Sequence, residues 1–358
     1  MKYVLKNTIC LLLMFACVIG INYWADPGNL TQNELFFDRM LALMQDGYNI
    51  EYVSDFKDRL FQEHAASIID RPQTLILGSS RIQQIDSTIC GDTTWNAGVS
   101  SATTQDICAL YQIFSEQGKL GDRVIIGIDL WTFDGTHSDP RCDTFLSEPL
   151  ARFKEEKLGE NTNRITSYSS LASLKDLSTL SYFQSSIQYL TNPNRGKRMR
   201  DLITSTELQS DYGMLRHDGS YAYPNGYMYS SQNEIETRVN LAREAVVAPI
   251  LVWQGIDPEL QKLFTALCED IVNNGSELVL LISPIHPFSY LEIQQNGSEH
   301  SLKEIEEYLH IYAESIGATV IGSFDAAACF CDYSDFMDAL HITYRSTERI
   351  WTPLLQNK

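Results

Sequence analysis

Basic charge is scarce in this sequence: 27 Lys and Arg stand against 46 Asp and Glu, a formal net charge of −19 over 358 residues. A surface of that sign repels phosphate backbones, so a nucleic-acid partner is not expected. The one dense basic stretch, "RGKRMR" at 195–200, reads as a solvated turn. No C-x-x-C pair occurs among the eight cysteines, which removes the zinc-ribbon and thioredoxin-like readings. The phosphate-loop, dinucleotide and H-E-x-x-H signatures are also missing, and with them the common nucleotide and zinc-protease classes. Neither an internal repeat nor a low-complexity tract is present. No metal or organic cofactor is called for.

Apolar residues make up 44% of the chain, an ordinary share for a globular core. They are concentrated first at the N-terminus, where 19 residues without charge separate Lys6 from Asp26. That run is long enough to cross a bilayer as a helix. Bulky Tyr23 and Trp24 stand where a cleaved signal would carry small residues, so residues 1–25 read as an uncleaved signal anchor. A lipoprotein site at Cys17 is disfavoured because the apolar run continues past it. Lys2 and Lys6 before the span place the N-terminus inside and the bulk of the chain outside the cytoplasm, a single-pass protein of the cell membrane. Disulfides are then permitted among Cys90, Cys108, Cys142, Cys268, Cys329 and Cys331, with their connectivity open. For Cys329 and Cys331, in the apolar "AAACFC", buried thiols are the plainer expectation.

Residues 26–72 carry two amphipathic stretches, near 31–46 and 55–69, with Leu35, Phe36, Met40, Leu43 and Met44 at helical spacing. They are expected to connect membrane to domain. From residue 73 to 358, short apolar strands alternate with helices: "TLIL", "TTWNAG" and "DRVIIGIDLW", then "SELVLLIS" and "ATVIGS". Such a pattern predicts an α/β fold, a three-layer α/β/α arrangement around a parallel sheet. Between about 133 and 245 the rhythm breaks into polar, Ser- and Tyr-rich sequence, read as an insertion that forms a lid or subdomain.

In such a sheet the residues just past a strand's C-terminal end face the ligand crevice. "LGSSR" puts Gly78, Ser79, Ser80 and Arg81 there, with a helix expected to follow and aim its N–H groups at an oxyanion. A serine nucleophile needs a base. "DALH" near the other end of the chain supplies Asp338 and His341, three apart and so on one face of a helical turn.

These blocks, in this order, resemble the SGNH/GDSL hydrolase superfamily, and within it the membrane-anchored exported branch that includes the alginate acetylation proteins and the D-alanine transfer protein of teichoic acids. The resemblance runs from about residue 73 to 350 and implies a flavodoxin-like sheet. It implies Ser80 as nucleophile, Gly98 in "NAGVSSAT" as a backbone oxyanion donor, and Asp338 and His341 as the remaining triad. Asn96, Arg81 and Asp129 complete the candidate oxyanion and substrate-binding set. The third block departs from the pattern: where the family carries Gly-x-Asn-Asp, this chain reads "GIDL", and Asp129 as a carboxylate accepts hydrogen bonds rather than donating them. A salt bridge to a neighbouring carboxylate is the competing role for Arg81.

Other residues repeat parts of the pattern. Asp134 and His137 also have Asp-x-x-His spacing, but they precede the last strand; Asp335 is a second candidate orienter for His341. His286, just past "LVLLIS", is either a substrate contact or a loop histidine with a structural hydrogen bond. Tyr221, Tyr223, Tyr227 and Tyr229 suit stacking on sugars, and equally ordinary packing. The expectation is a serine esterase or O-acyltransferase acting on acyl groups of a cell-surface or exported glycan. Transfer would require an acyl-delivering membrane partner. A membrane-tethered glycan-binding or assembly protein without catalysis is the alternative.

Overall fold

Short strands that are apolar on both faces can lie only inside a sheet that is covered on both sides. The computed structural model describes residues 2–26, 33–51, 57–161, 177–191 and 202–356; "RGKRMR" lies outside them. Its strands are β1 (Asn49–Glu51), β2 (Thr74–Leu77), β3 (Thr94–Asn96), β4 (Arg123–Ile128), β5 (Ile203–Ser205), β6 (Met214–Leu215), β7 (Tyr221–Ala222), β8 (Glu277–Ile282) and β9 (Thr319–Gly322). The main sheet is parallel, in the order β3-β2-β4-β8-β9. The protein is therefore α/β with a five-stranded parallel sheet.

Alternate residues of each strand point to opposite faces. Leu75, Leu77, Val124, Ile126, Leu278 and Leu280 enter one core, shared with helices Asp58–Ile68, Thr104–Glu116, Pro258–Asn273 and Glu299–Ile316. Ile76, Ile125, Val279 and Leu281 enter a second, smaller core closed by Phe336 and by Trp351 and Leu355 of helix Tyr344–Gln356. Counted within the sheet, the strands run 2-1-3-4-5, so the order reverses between β2 and β4. Chains diverge there at the strands' C-terminal ends and leave a crevice, the usual ligand position in open α/β sheets.

The helices ahead of the sheet pack on the domain's core. Phe37, Met40, Leu41 and Met44 of helix Asn33–Gln45, at i, i+3, i+4 and i+7, are buried in the larger core beside Phe61 and Ala65. Leu35, expected on the apolar face, is 58% exposed. Arg59 is fully buried and forms a bidentate pair with Asp106 (2.6 and 2.8 Å), the residue that closes the capping box of helix Thr104–Glu116. A buried charge pair of this geometry loses several kcal/mol if one partner is removed, so helix Asp58–Ile68 is part of the domain's framework.

The polar segment between β4 and β8 has strands of its own. β5, β6 and β7 join β1 in an antiparallel sheet ordered β5-β1-β6-β7. This sheet is fastened to the turn after β2. Tyr221 N–H donates to Gln83 O (2.7 Å), and the Asp218 carboxylate accepts from Ser87 N–H and Oγ (2.8 and 2.7 Å). At the N-terminus, Lys2–Ala25 is one helix, and Leu5–Ala25 is long and apolar enough to span a membrane, a test that a signal sequence also passes.

Candidate active site

The turn that carries Ser80 depends on two glycines. Gly78 has φ +153°, and a Cβ there would meet Gly127 Cα of β4 at 3.1 Å and Ile82 Cδ1 at 2.9 Å; a Cβ on Gly127 would meet Ile82 Cγ2 at 2.9 Å. Close approach of the two strand ends lets Ile82 fold back over both. The expected helix after Ser80 does not form. Residues 79–84 are successive turns, followed only by the short helix Ser87–Cys90. The Asn96 side chain takes the Ile82 and Ile85 carbonyls (both 2.9 Å), and Gln84 reaches Ile342 O (2.6 Å), so long-range bonds replace a helical ladder.

His341 arrives from the far end of the chain in a bend bracketed by the Phe336–Ile342 bridge, not in the helical turn that its spacing suggested. Asp338 builds this bend: its Oδ1 accepts the N–H groups of Leu340 and His341 (both 2.8 Å). The same carboxylate holds His341 Nδ1, at 2.9 Å from Oδ2. With Nδ1 protonated toward Asp338, Nε2 is left as an acceptor, and Ser80 Oγ lies 2.9 Å from it. Serine, histidine and aspartate thus form a continuous relay across 261 residues of sequence. Burial pushes the Asp338 carboxyl up, but the hydrogen bond and charge of His341, with Tyr227 and the Leu340 N–H, hold it well below the usual carboxylate range. It is an ionised orienting group.

Tyrosines from the segment after β7 complete the surroundings. Tyr227 OH donates to Asp338 Oδ2 (2.5 Å), and its ring lies under the Arg238 guanidinium, 4.0 Å from the centroid. Tyr223 stacks on Tyr227 (centroids 5.7 Å apart) and lies 5.5 Å from the His341 ring. Burial and the nearby Asp338 charge keep its phenol well above the ordinary value, so it is a neutral group beside the triad. Tyr229 is 72% exposed and bonds Gln209. Sequence reasoning singled out this cluster but gave it no part in the triad. The alternating tyrosines of "SYAYPNGY" were the available signal.

The remaining candidates sit differently. Arg81 is buried and pairs with Asp129 at 3.3 Å; it also donates to the carbonyls of Ser283, Pro284 (2.9 Å) and Leu340 (3.3 Å). It ties the ends of β2 and β8 to the His341 bend. Burial pushes Asp129 up, and Arg81 and Ser79 oppose this. Asn96 spends both amide protons on backbone carbonyls and accepts the Gly98 N–H (2.9 Å), so the proposed Gly98 donor is turned inward in this conformation. The Ser80 N–H has no hydrogen bond among the described residues. Asp134 accepts from Thr136 N–H and Oγ while His137 stacks on Trp131, so this second Asp-x-x-His is not a dyad. Asp335 is taken by Ser346 and Arg349 (2.7 Å each).

His286 is a helix cap: its Nδ1 accepts the Phe288 N–H (3.2 Å), and its backbone N–H donates to Ala339 O in the bend before His341. A cavity of about 180 Å³ lined by His286, Phe288, Tyr333, Glu236, Val239 and Asn240 adjoins it. Burial lowers the His286 imidazole to about 4. An unfolded histidine titrates near 6.5, so the unfolded chain binds the extra proton first as pH falls. Stability should therefore drop by about 3 kcal/mol between pH 6.5 and 4 from this group. Urea melts at both pH values should show that loss shrinking in His286→Asn, which keeps an acceptor at the cap. An equal loss in the variant would contradict it.

All eight cysteines are free thiols, and the six beyond the N-terminal helix are buried. Burial pushes Cys90 and Cys331 up to about 12 and Cys329 to about 11, which leaves them as packing groups rather than nucleophiles. No cluster of three or more His, Cys, Asp or Glu suited to a metal occurs among the described residues. Compared with protein-family models and with curated proteins, the chain matches none.

Proposed function

We propose that this chain is a membrane-anchored serine esterase or O-acyltransferase of SGNH/GDSL type, acting on acyl esters of an exported or cell-surface glycan. The observation that carries the reading is the relay Ser80 Oγ to His341 Nε2 (2.9 Å) and His341 Nδ1 to Asp338 (2.9 Å), set at the point where the strand order reverses. Ser80 attacks the ester carbonyl as its proton passes to His341 Nε2; the tetrahedral intermediate collapses, and the same proton leaves on the alkoxide. Water or a sugar hydroxyl then bonds to the acyl carbon as its proton passes to His341 Nε2, and that proton returns to Ser80 Oγ as the acyl–Ser80 bond breaks. In this reading the Ser80 N–H, without a hydrogen bond among the described residues, and the Tyr223 phenol, whose ring adjoins His341, are the candidate oxyanion donors, the phenol in place of the asparagine that "GIDL" lacks.

The apolar N-terminal helix supports an anchored protein, with Lys2 and Lys6 favouring an extracytoplasmic domain; Tyr223 and Tyr227, from the polar region between β4 and β8, flank the triad. An acyl-transfer reaction there would draw on a membrane partner for the activated acyl group. The inward Gly98 N–H favours a second reading, a glycan-binding or assembly protein without turnover. Mass spectrometry separates the readings. Loss of acyl groups from an acetylated oligosaccharide incubated with the full chain supports an esterase. Acyl gain from an activated ester supports a transferase. Neither change, with Ser80 unmodified by a fluorophosphonate, leaves only the binding reading.

A further inference from the structure

Residues 177–194 form the longest stretch without charge after the anchor, 18 residues in a chain that is 20% charged. Part of it is the helix Leu180–Thr191, which packs on the N-terminal helix rather than on the sheet. Two polar contacts fix it at the last turns of the anchor: Asn22 Nδ2 donates to Leu177 O (2.7 Å), and Tyr182 OH donates to Asp26 Oδ1 (2.7 Å). Leu180 (67% exposed), Phe183, Ile187 and Leu190 recur at i, i+3, i+7 and i+10, one stripe along the helix; Ile187 and Leu190 are each 38% exposed and Phe183 is half-buried, so the domain leaves the stripe partly open. Tyr23 and Trp24 are exposed at the same level of the anchor.

We infer that helix Leu180–Thr191 is a second membrane element, lying in the interface of the leaflet where the anchor emerges, with its apolar stripe against lipid acyl chains. A helix hydrogen-bonded to the last turns of a span is carried to the lipid surface by it. Having no charge, it meets no charge-desolvation cost on entering the headgroup and acyl boundary, to a depth of about 5–10 Å. Tyrosine and tryptophan favour that depth because their rings are apolar and their tips polar. With two attachments the domain is oriented as well as tethered, which holds the mouth of the Ser80 site at a constant height above the bilayer.

The test uses the full chain with Cys10→Ser and Cys17→Ser, reconstituted into phosphatidylcholine vesicles without other proteins. Nitroxide labels are placed at Ile187→Cys or Leu190→Cys, and at Ile311→Cys as a control, since Ile311 is 63% exposed on helix Glu299–Ile316. Lipid contact predicts high collision with oxygen and low collision with a water-soluble nickel chelate at 187 and 190, and the reverse at 311. High nickel collision at both helix positions would overturn the inference by showing them in water. Low collision with both reagents would overturn it equally, because the stripe would then be covered by protein.

Discussion

Replacing Ser80 with alanine should abolish covalent modification by a fluorophosphonate and reduce ester turnover by about 10⁴-fold or more, with His341→Ala close behind, because triad members act as a unit. Ser80 is only partly buried and contributes little packing, so its variant should keep the parent's melting behaviour within about 0.5 kcal/mol. Two controls give the result its meaning. His137→Ala should retain turnover, since that imidazole stacks on Trp131 while Asp134 is occupied by Thr136. Ser79→Ala should remain modifiable, because Ser79 is buried and its hydroxyl engages the Arg81 N–H and Asp129. Modification that survives Ser80→Ala would sink the assignment, and an essential His137 would sink the choice of base.

Tyr223→Phe should lower kcat by about 10²–10³-fold while KM stays within about threefold, the signature of a donor that acts on the oxyanion of the transition state. Phenylalanine keeps the ring contacts with Tyr221, Tyr227 and His341, so a loss in kcat isolates the hydroxyl. Tyr227→Phe provides the comparison. It removes a hydrogen bond to Asp338, which retains His341 and two backbone N–H groups, so the expected loss is smaller. If Tyr223→Phe kept kcat within threefold, the oxyanion would have to be held by backbone alone. Gly98 would then have to leave Asn96 Oδ1 during the reaction.

Several parts of this arrangement were legible in the linear sequence because their signals are local. The apolar strands "TLIL" and "ELVLLI" can be stable only when covered on both faces, so the α/β class follows from composition at close range. The same is true of the apolar N-terminal helix, whose 19 uncharged residues need no tertiary partner to be recognised. Ser80 was readable because it adjoins the end of an apolar strand, while the choice of Asp338 and His341 over Asp134 and His137 came from the block order that the family resemblance implies. Helical spacing described Asp338 and His341 less well, since the Asp338 carboxylate bonds backbone N–H groups and bends the chain instead.

Other features arise from contacts between residues far apart in the chain. Amphipathic periodicity shows that a face of helix Asn33–Gln45 is apolar and not what covers it; here the cover is the core around Phe61 and Leu75. Tyr223 and Tyr227 reach the triad only because β7 is joined to the Ser80 turn through Tyr221 N–H and Gln83 O, and two-residue strands leave almost no periodic trace. Asn96 lies next to a glycine, as an oxyanion residue would, yet its amide is consumed by Ile82, Ile85 and Gly98. Residue type and spacing state which hydrogen bonds a side chain is able to make. Folding selects among them, because a buried polar group left without a partner costs about 1–3 kcal/mol and takes whichever partner the packed backbone brings within reach.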